Sequence, residues 1–367
     1  MSSQLMASAQ ALKISAFTRG MTVSPEAEYA LTEGGRVPLS VHEYTTTGGI
    51  TLIVDDDVYI NAPFDGPVPA EPETCLQHDP VTQQFSVTFR GRELPARVLP
   101  LPGYLSARDS RGNLVTKTVF SHADRARLTP NDGCSFRCAF CNFPGKAYVP
   151  HPSEQLVEAL EIAKADAKLP VHHVLISGGT PSPKDYGYFD DVCAAIVQVA
   201  GMPVDVMMPP RPRDPNFADR LVDLGIHGFA INIEVYDDDV ARRVIPQKER
   251  VGLNTFAAMI ERLVDRTGGQ GRVRSLILVG LESEKQTLRG VEFLARLGCD
   301  PCLSPFRPSD GTALADHPAP TADLLERVYS EAASIVECHG VKLGPRCVPC
   351  QHNTLTFPDR SGAYFFS

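Results

Sequence analysis

The chain has 367 residues and a mass of 39.9 kDa, which is enough for one large domain and a small one. Its net charge of −9 and its isoelectric point near 5.6 argue against a nucleic acid as the main partner. No stretch approaches the ~18 apolar residues of a membrane span, and residues 1–20 have no apolar core of the signal-peptide type. We therefore expect a cytoplasmic protein with no membrane partner, whose ten cysteines serve metal binding or packing more often than disulfides.

Residues 1–110 are predicted to form an N-terminal arm and a small β-rich accessory domain. Residues 1–35 show no strong periodicity, which indicates an arm or a marginal helix. From Val37 to about Tyr104, short apolar or alternating runs predict the strands of an antiparallel sheet. These runs are Ile50–Val54, Val58–Ile60, Phe85–Phe89 and Ala96–Leu99. We interpret the acidic run Asp55–Asp57 as a solvated hairpin turn rather than a calcium site.

Strand and helix signals alternate through residues 111–320, as in a parallel sheet with crossover helices. The predicted strands are Arg125–Thr129, Val171–Ile176, Val204–Met208, Gly228–Ile233, Val273–Val279 and Pro301–Ser304. The first crossover helix is expected to begin at Ser153, a good N-cap residue. This pattern predicts an α/β fold, a partial (β/α)6 TIM-like barrel, whose functional residues follow the C-terminal ends of the strands. His172 and His173 alternate along the second strand, so core or rim packing is expected for them rather than joint metal binding.

Three cysteines in eight residues follow the first strand, with the spacing C-x3-C-x2-C. Cys134, Cys138 and Cys141 could each bind one iron of a [4Fe-4S] cluster, which leaves the fourth iron open to a small molecule. Zinc is the main alternative, but a structural zinc site needs a fourth ligand and none follows within the loop. A loop of inert buried cysteines is the remaining alternative.

The spacing of Cys134, Cys138 and Cys141, with Phe140 directly before the third cysteine, resembles the cluster loop of the radical S-adenosylmethionine (SAM) superfamily. The resemblance implies that SAM chelates the open iron and that Phe140 contributes to the cofactor site. It also implies that the reduced cluster cleaves SAM, usually to methionine and a 5′-deoxyadenosyl radical that abstracts hydrogen from the substrate. A reductant such as flavodoxin or ferredoxin would then supply the electron.

Two further strand ends resemble SAM-binding motifs of the superfamily. Gly178 and Gly179 end the second strand and would hold the SAM amine through backbone carbonyls, although Thr180 stands where an acidic residue is common. Asn232 and Glu234 alternate at the end of the fourth strand and are expected to face the barrel interior. Glu234 would then accept hydrogen bonds from the SAM ribose, unless it is only a charged residue at the rim of the sheet.

The remaining cofactor contacts are expected after the fourth and fifth strands. Arg242, Arg243 and Lys248 are candidates for binding the SAM carboxylate, with a cation near Arg243 preferred. Gly280 resembles the position that lies against the adenine. Each of the three cations is equally plausible as surface charge.

Two proline-rich loops place arginines at the ends of the third and sixth strands. Arg211 and Arg213 follow the third strand, and Arg307 follows the sixth. Because arginine pairs bidentately with carboxylate or phosphate, we hypothesise that Arg307, with Arg211 or Arg213, binds an anionic group of the substrate. Ordinary surface arginines are the alternative.

Residues 321–367 are predicted to form a helix from Thr321 to about His339 and a tail packed on the barrel. The tail carries Cys347 and Cys350 on a Pro/Gly-rich loop, which is half of a metal site. A second zinc or iron–sulfur site, a redox-active thiol pair and a surface turn remain open. Cys299 and Cys302 could complete such a site, but their spacing on a strand disfavours them as a chelating pair. His352 is a further candidate ligand.

These features predict a radical SAM enzyme that acts on a small, anionic metabolite. The small-molecule substrate class rests on the arginines of the pocket loops, since no peptide or nucleic-acid module is apparent. The alternatives are transfer of a SAM-derived fragment to the substrate, and a non-catalytic iron–sulfur or zinc electron-transfer protein. The substrate itself is not identified by these motifs.

Overall fold

The computed structural model describes residues 3–41, 48–64 and 72–358. Its helices are α1 Ser3–Arg19, α2 Pro25–Leu31, α3 Ser153–Lys164, α4 Tyr186–Ala200, α5 Phe217–Asp223, α6 Asp238–Val244, α7 Pro246–Val251, α8 Leu253–Thr267, α9 Glu284–Arg296 and α10 Ala322–Cys338. Its strands are β1 Thr22–Val23, β2 Ile50–Val54, β3 Val58–Ala62, β4 Thr74–Asp79, β5 Gln84–Phe89, β6 Arg92–Val98, β7 Val119–His122, β8 Arg125–Leu128, β9 Asn131–Asp132, β10 Val149–Pro150, β11 His173–Ile176, β12 Val204–Met207, β13 Gly228–Ala230, β14 Val273–Val279 and β15 Asp300–Pro305. Within these ranges, no helix combines the length and the apolar character that a membrane crossing needs.

The central sheet has the strand order β15-β14-β13-β12-β11-β8-β7. Strands β8 to β15 in this sheet run parallel, and β7 adds an antiparallel edge. The predicted partial (β/α)6 barrel is confirmed. Strand β14 has its predicted bounds, whereas β13 ends at Ala230 because the side chain of Ser275, not a backbone carbonyl, accepts the hydrogen bond of the Ile233 N–H at 3.0 Å.

The crossover helices bury one face each against this sheet. Phe256, Met259, Ile260 and Leu263 are the buried residues of α8, at the spacing of one helical face. Helix α10 begins after Thr321, whose hydroxyl caps the N–H of Leu324 at 3.3 Å. The N-cap prediction for Ser153 was wrong: α3 begins with Ser153 as its first helical residue, because the carbonyl of Pro152 already accepts hydrogen bonds from Gln155 and Leu156.

The N-terminal strands form a second sheet with the order β1-β4-β5-β6-β2-β3. Its pairs are antiparallel as predicted, apart from the short parallel pair β1–β4. The segment interpreted as an arm or a marginal helix contains two helices, and α1 buries Leu12 and Ala16. The buried apolar residues of this sheet and of the barrel belong to one continuous core. Domain boundaries near residues 110 and 320 therefore stay predictions.

The C-terminal tail, residues 344–357, fills the gap between the two edges of the open barrel. On one side, the N–H groups of Gly344 and Leu355 donate to Pro301 and Leu303 of β15 at 2.8 and 2.7 Å. On the other side, the ring of His352 stacks on His122 of β7 with centroids 6.1 Å apart. The tail thereby closes the interior of the barrel laterally.

Candidate active site

The cysteine loop is held at the C-terminal end of the sheet by the loop that follows β11. The N–H of Ser135 donates to the carbonyl of Thr180 at 3.0 Å, and the N–H of Thr180 donates to Cys134 Sγ at 3.1 Å. The Ser135 hydroxyl also donates to the carbonyl of Pro181 at 3.0 Å. Thr180 thus contacts a loop sulfur through its backbone.

Glycine is required where these two loops cross. A Cβ on Gly179 would lie 1.7 Å from the carbonyl oxygen of Gly133 and 2.9 Å from Asn131 Nδ2. Gly133 itself has a positive φ of 66°, and a Cβ there would lie 2.6 Å from the carbonyl oxygen of Lys146. A Cβ on Gly178 would have the Thr129 Cγ2 methyl group as its nearest neighbour, at 3.0 Å. Gly179 is therefore the tighter of the two predicted glycine positions.

The other side of the cysteine loop rests on α6 and α7. The N–H of Ala139 donates to the carbonyl of Val244 at 2.8 Å, and the N–H of Arg137 donates to Gln247 Oε1 at 3.0 Å. Phe140 packs on a small apolar cluster that includes Phe306. The loop is consequently braced from both sides.

The environment of the three loop thiols fits an iron–sulfur cluster. Backbone N–H groups donate to two of the sulfurs, Phe136 to Cys134 at 3.3 Å and Phe143 to Cys141 at 3.5 Å, and such bonds stabilise thiolate ligands. Burial raises the pKa of Cys141 to about 11, so a bound cation is needed to hold it as a thiolate near neutral pH. Within the described ranges, the three sulfurs are not among the groups whose ligand atoms converge on a single ion.

A cavity of about 230 Å³ extends from the cysteine loop into the barrel. The predicted cofactor-site residues that line it are Cys134, Phe140, Cys141, Gly178, Gly179, Asn232 and Glu234. The interior orientation predicted for Asn232 and Glu234 is therefore confirmed. Cys138 lies behind this lining, where it packs with Phe140 against the small apolar cluster.

Glu234 presents one free carboxylate oxygen to the cavity. Its Oε1 lies 2.9 Å from Lys248 Nζ, which also donates to the carbonyl of Asn232 at 2.9 Å. Its buried Oε2 has no hydrogen-bond partner in the part of the chain that the structure describes. A buried acceptor of this kind needs a donor, and the hydroxyl groups of a ribose supply one. The site thus fits a nucleoside-containing cofactor such as SAM.

Two other predicted cofactor contacts lie outside the cavity. Arg243 is exposed on α6, and Lys248 is the cation that reaches Glu234. Gly280 has a positive φ of 109° and faces Pro320, whose Cβ would lie 3.1 Å from an added Cβ. Neither Arg243 nor Gly280 lines the cavity, so their roles in binding SAM stay predictions.

The two arginines that follow the third strand, and that were predicted to bind the substrate, do not line the cavity either. The Arg211 guanidinium lies 2.7 Å from Asp190 Oδ1 and packs 3.4 Å from the ring centroid of Phe217. Arg213 is exposed. The prediction was wrong for both, because the proline-rich loop turns Arg211 toward α4 and α5 instead of the barrel interior.

Arg307 does line the cavity, but it also joins the barrel to the N-terminal sheet. Its Nη1 donates to the carbonyl of Gly48 at 2.7 Å, and its Nη2 donates to the carbonyl of Asn61 in β3 at 3.2 Å. A substrate role for Arg307 stays a prediction. Its contacts show that it also anchors the N-terminal sheet to the barrel.

Three interior arginines were missed by the sequence reasoning. Arg125 and Arg127 on β8 and Arg274 on β14 all line the cavity. Arg127 donates to the carbonyl of Ser177 at 3.2 Å, and Arg274 lies 2.7 Å from Asp205 Oδ2. The signal was present, because residues 125 and 127 are two apart on a predicted strand and must share a face.

The C-terminal cysteines meet two residues at the opposite end of the barrel. Cys347 and Cys350 converge with Asp124, just before β8, and with His173, the first residue of β11. His173 is buried in the core, as predicted, and His172 does not join it in this group; the imidazole of His173 also faces both sulfurs at 3.8 and 3.3 Å. Cys299 and Cys302 do not join this group, and neither does His352, whose Nδ1 faces the carbonyl of Pro349 at 2.9 Å.

Sequence comparison agrees with this architecture. Residues 128–303, from the end of β8 to β15, match the radical SAM superfamily. These residues form a radical SAM domain. It is 22% identical over 268 residues to biotin synthase of Chlamydia pneumoniae, covering 70% of this chain and 79% of the relative. It is 26% identical over 232 residues to the mitochondrial radical S-adenosyl methionine domain-containing protein 1 of Bos taurus, covering 57% of this chain and 50% of the relative.

Solved structures of radical SAM proteins are also similar. HydG, a maturase of the [FeFe]-hydrogenase, superposes with a TM-score of 0.47 at 14% identity, over 57% of this chain and 48% of that chain. A radical SAM methyltransferase from Sphaerobacter thermophilus gives a TM-score of 0.47 at 15% identity, over 77% of this chain and 80% of that chain. The match of residues 128–303 and the similarity to biotin synthase identify a radical SAM enzyme, with a [4Fe-4S] cluster and SAM as its cofactors.

Proposed function

We propose that this enzyme generates a 5′-deoxyadenosyl radical that acts on a small anionic substrate held among the interior arginines. The observation that carries the proposal is that Arg125, Arg127 and Arg274 line the same cavity as the cysteine loop. Cofactor ligands and substrate-binding cations would then share one cavity. Radical chemistry needs such a space, because water and stray hydrogen donors must be excluded.

Cys134, Cys138 and Cys141 would hold the cluster, and the backbone of Gly178 and Gly179 would bind the SAM amine. When bound and reduced, the cluster supplies the electron that cleaves SAM. The free Oε2 of Glu234 would accept a hydrogen bond from the ribose, while Lys248 keeps the carboxylate in place. Phe140 would close the apolar side of this half of the cavity.

The arginines favour an anionic substrate on electrostatic grounds. Arg127 is 2% exposed, and burial lowers its pKa to about 9. Four arginines line the cavity, namely Arg125, Arg127, Arg274 and Arg307, and Arg274 is already paired with Asp205. A carboxylate or phosphate of the substrate would pair with the planar geometry of a guanidinium group.

The first experiment is anaerobic SAM cleavage. The protein is reconstituted with iron and sulfide, reduced chemically or with flavodoxin or ferredoxin as the proposed partner, and mixed with SAM. We expect 5′-deoxyadenosine by mass spectrometry from the intact protein and none from Cys138→Ala. A product carrying a SAM-derived fragment would instead indicate group transfer, and no cleavage by a fully loaded, reduced cluster would reject the proposal.

The substrate class is tested with a panel of small carboxylates and phosphates and the methyl esters of the same carboxylates. We expect some of the anions, and none of the esters, to stimulate 5′-deoxyadenosine formation. Arg127→Gln should remove the stimulation and leave iron content and substrate-independent SAM cleavage unchanged. Arg213→Gln is the matched control, since that arginine is exposed. Stimulation by esters equal to that by acids would contradict the anionic class.

A further inference from the structure

A second cluster of ligand-type side chains lies at the end of the barrel opposite the cysteine loop. Strands β8 and β11 are parallel neighbours in which His173 pairs with Arg125, so Asp124 and His173 stand side by side where the two strands begin. The tail brings Cys347 and Cys350 to the same place, more than 170 residues later in the sequence. The four ligand atoms all lie within 4.8 Å of one another.

The separations between these atoms match a tetrahedral ion site. His173 Nε2 lies 3.3 Å from Asp124 Oδ1, 3.3 Å from Cys350 Sγ and 3.8 Å from Cys347 Sγ. Cys347 Sγ lies 3.8 Å from Asp124 Oδ1. With zinc bonds of about 2.0 Å to nitrogen or oxygen and about 2.3 Å to sulfur, tetrahedral ligands lie about 3.3 to 3.8 Å apart. The side chains are therefore already spaced for one ion.

The burial and the charge of this cluster also favour a bound cation. His173, Cys347 and Cys350 are buried, and Arg125 Nη1 lies 3.5 Å from Cys350 Sγ as a donor. Two thiolates and a carboxylate carry three negative charges, which a divalent cation and the Arg125 guanidinium together neutralise. A buried anionic group without such compensation would be unfavourable.

We infer that Asp124, His173, Cys347 and Cys350 bind one Zn²⁺ ion that fastens the C-terminal tail to the barrel. Ligand atoms this close leave no room for the iron and sulfide of a cluster between them, which favours a single ion. Two thiolates with an imidazole and a carboxylate are ligands that zinc accepts, and four protein ligands make a closed, structural site.

The site has a consequence for the cavity described above. Cys350 lines that cavity as well, together with Asn353 and Thr354 of the same turn. The ion would therefore fix the part of the tail that forms the far wall of the cavity. Loss of the ion should loosen this wall without disturbing the cysteine loop, which lies at the other end of the strands.

The test is metal analysis of the full chain after anaerobic purification. A Cys134→Ser/Cys138→Ser/Cys141→Ser variant removes the proposed cluster ligands and should retain about one zinc per chain with no iron–sulfur absorption. Adding Cys350→Ser or His173→Ala to this variant should reduce zinc to less than about a tenth per chain. Cys338→Ser, an exposed cysteine, is the matched control and should retain the zinc.

Two results would overturn the inference. Iron and sulfide retained in the triple variant would show a second cluster, and a metal-free chain whose mass shows a Cys347–Cys350 disulfide would show a redox pair. Because Cys350→Ser could fail to fold, Asp124→Asn is measured in parallel by Co²⁺ titration. It should bind Co²⁺ at least about tenfold more weakly than the parent, while the circular dichroism of the two stays the same.

Discussion

The close crossing of two backbone segments makes Gly179→Ala the sharpest test of how the cysteine loop is held. The added Cβ would lie 1.7 Å from the carbonyl oxygen of Gly133, whereas real Cβ atoms essentially never come closer than 3.0 Å to another heavy atom. The two backbones must therefore separate by roughly 1 Å, because the Gly133 carbonyl is a backbone group and cannot rotate away as a side chain could. The hydrogen bonds of Thr180 with Cys134 and Ser135 span the same crossing and would stretch with it.

A displacement of about 1 Å at a catalytic centre can cost about 100-fold in rate. We expect Gly179→Ala to bind less iron and sulfide after anaerobic reconstitution and to form 5′-deoxyadenosine about 100-fold more slowly. Iron and sulfide assays, visible absorption and mass spectrometry measure the three quantities. Thermal unfolding of the unreconstituted protein shows whether the whole fold or only the loop has changed.

Gly187→Ala is the matched control. Gly187 lies in the first turn of α4, and a Cβ there would meet nothing within 4 Å. Alanine should leave iron content and rate unchanged and stabilise the fold by up to about 1 kcal/mol. If Gly179→Ala kept full iron content and the parent rate, the crossing would not position the cluster loop.

Two further predictions concern buried carboxylates. Glu234→Gln removes the negative charge of the group that would accept hydrogen bonds from the ribose. The dissociation constant for SAM should therefore rise about 10-fold or more while the iron content stays constant. Equal SAM affinity of the two proteins by calorimetry would place the ribose elsewhere. Asp205→Asn leaves Arg274 without its charged partner. The free energy of unfolding, measured by urea titration, should therefore fall by about 3 to 5 kcal/mol. Asp223→Asn, which changes an exposed aspartate, is the control. Burial alone would raise the pKa of Asp205, but the charge of Arg274 and the hydrogen bond from His227 hold it well below the usual value. The contribution of Asp205 to stability is thus complete above its unfolded pKa near 3.9 and is lost as the pH falls below that value. The free energy of unfolding of the parent should therefore decrease at low pH, and that of Asp205→Asn should change less with pH.

Local patterns predicted the barrel well because each strand carries its own signal. Strand β14 has seven residues of strand-forming character, and its bounds follow from the sequence. Helix α1 was underestimated because its stability depends on distant contacts. Its buried Lys13 donates to the carbonyls of Gln351 and Thr356 in the tail at 2.9 and 2.7 Å, about 340 residues away. No local pattern contains such a contact.

The sequence by itself predicted the cofactor end of the candidate active site. The cysteine spacing and the paired glycines are local features, and both lie in loops whose positions follow from the strands that they terminate. The tertiary structure decided which cations face the interior. The loop of Arg211 turns its guanidinium outward to Asp190. Arg127 lines the cavity from a strand for which the sequence predicted no functional residue.

The tertiary structure also decided the surroundings of the C-terminal cysteines. In the sequence, Cys347 and Cys350 supply only two of the ligands that a metal site needs. Whether they form a metal site, a redox-active thiol pair or a surface turn depends on which side chains the fold places next to them. His173 and Asp124 became neighbours because β8 and β11 pair in parallel, and the tail reached them by docking along β15. Such a site depends on strand order and on the path of the tail, and both are set by the packing of the whole chain rather than by any segment of it.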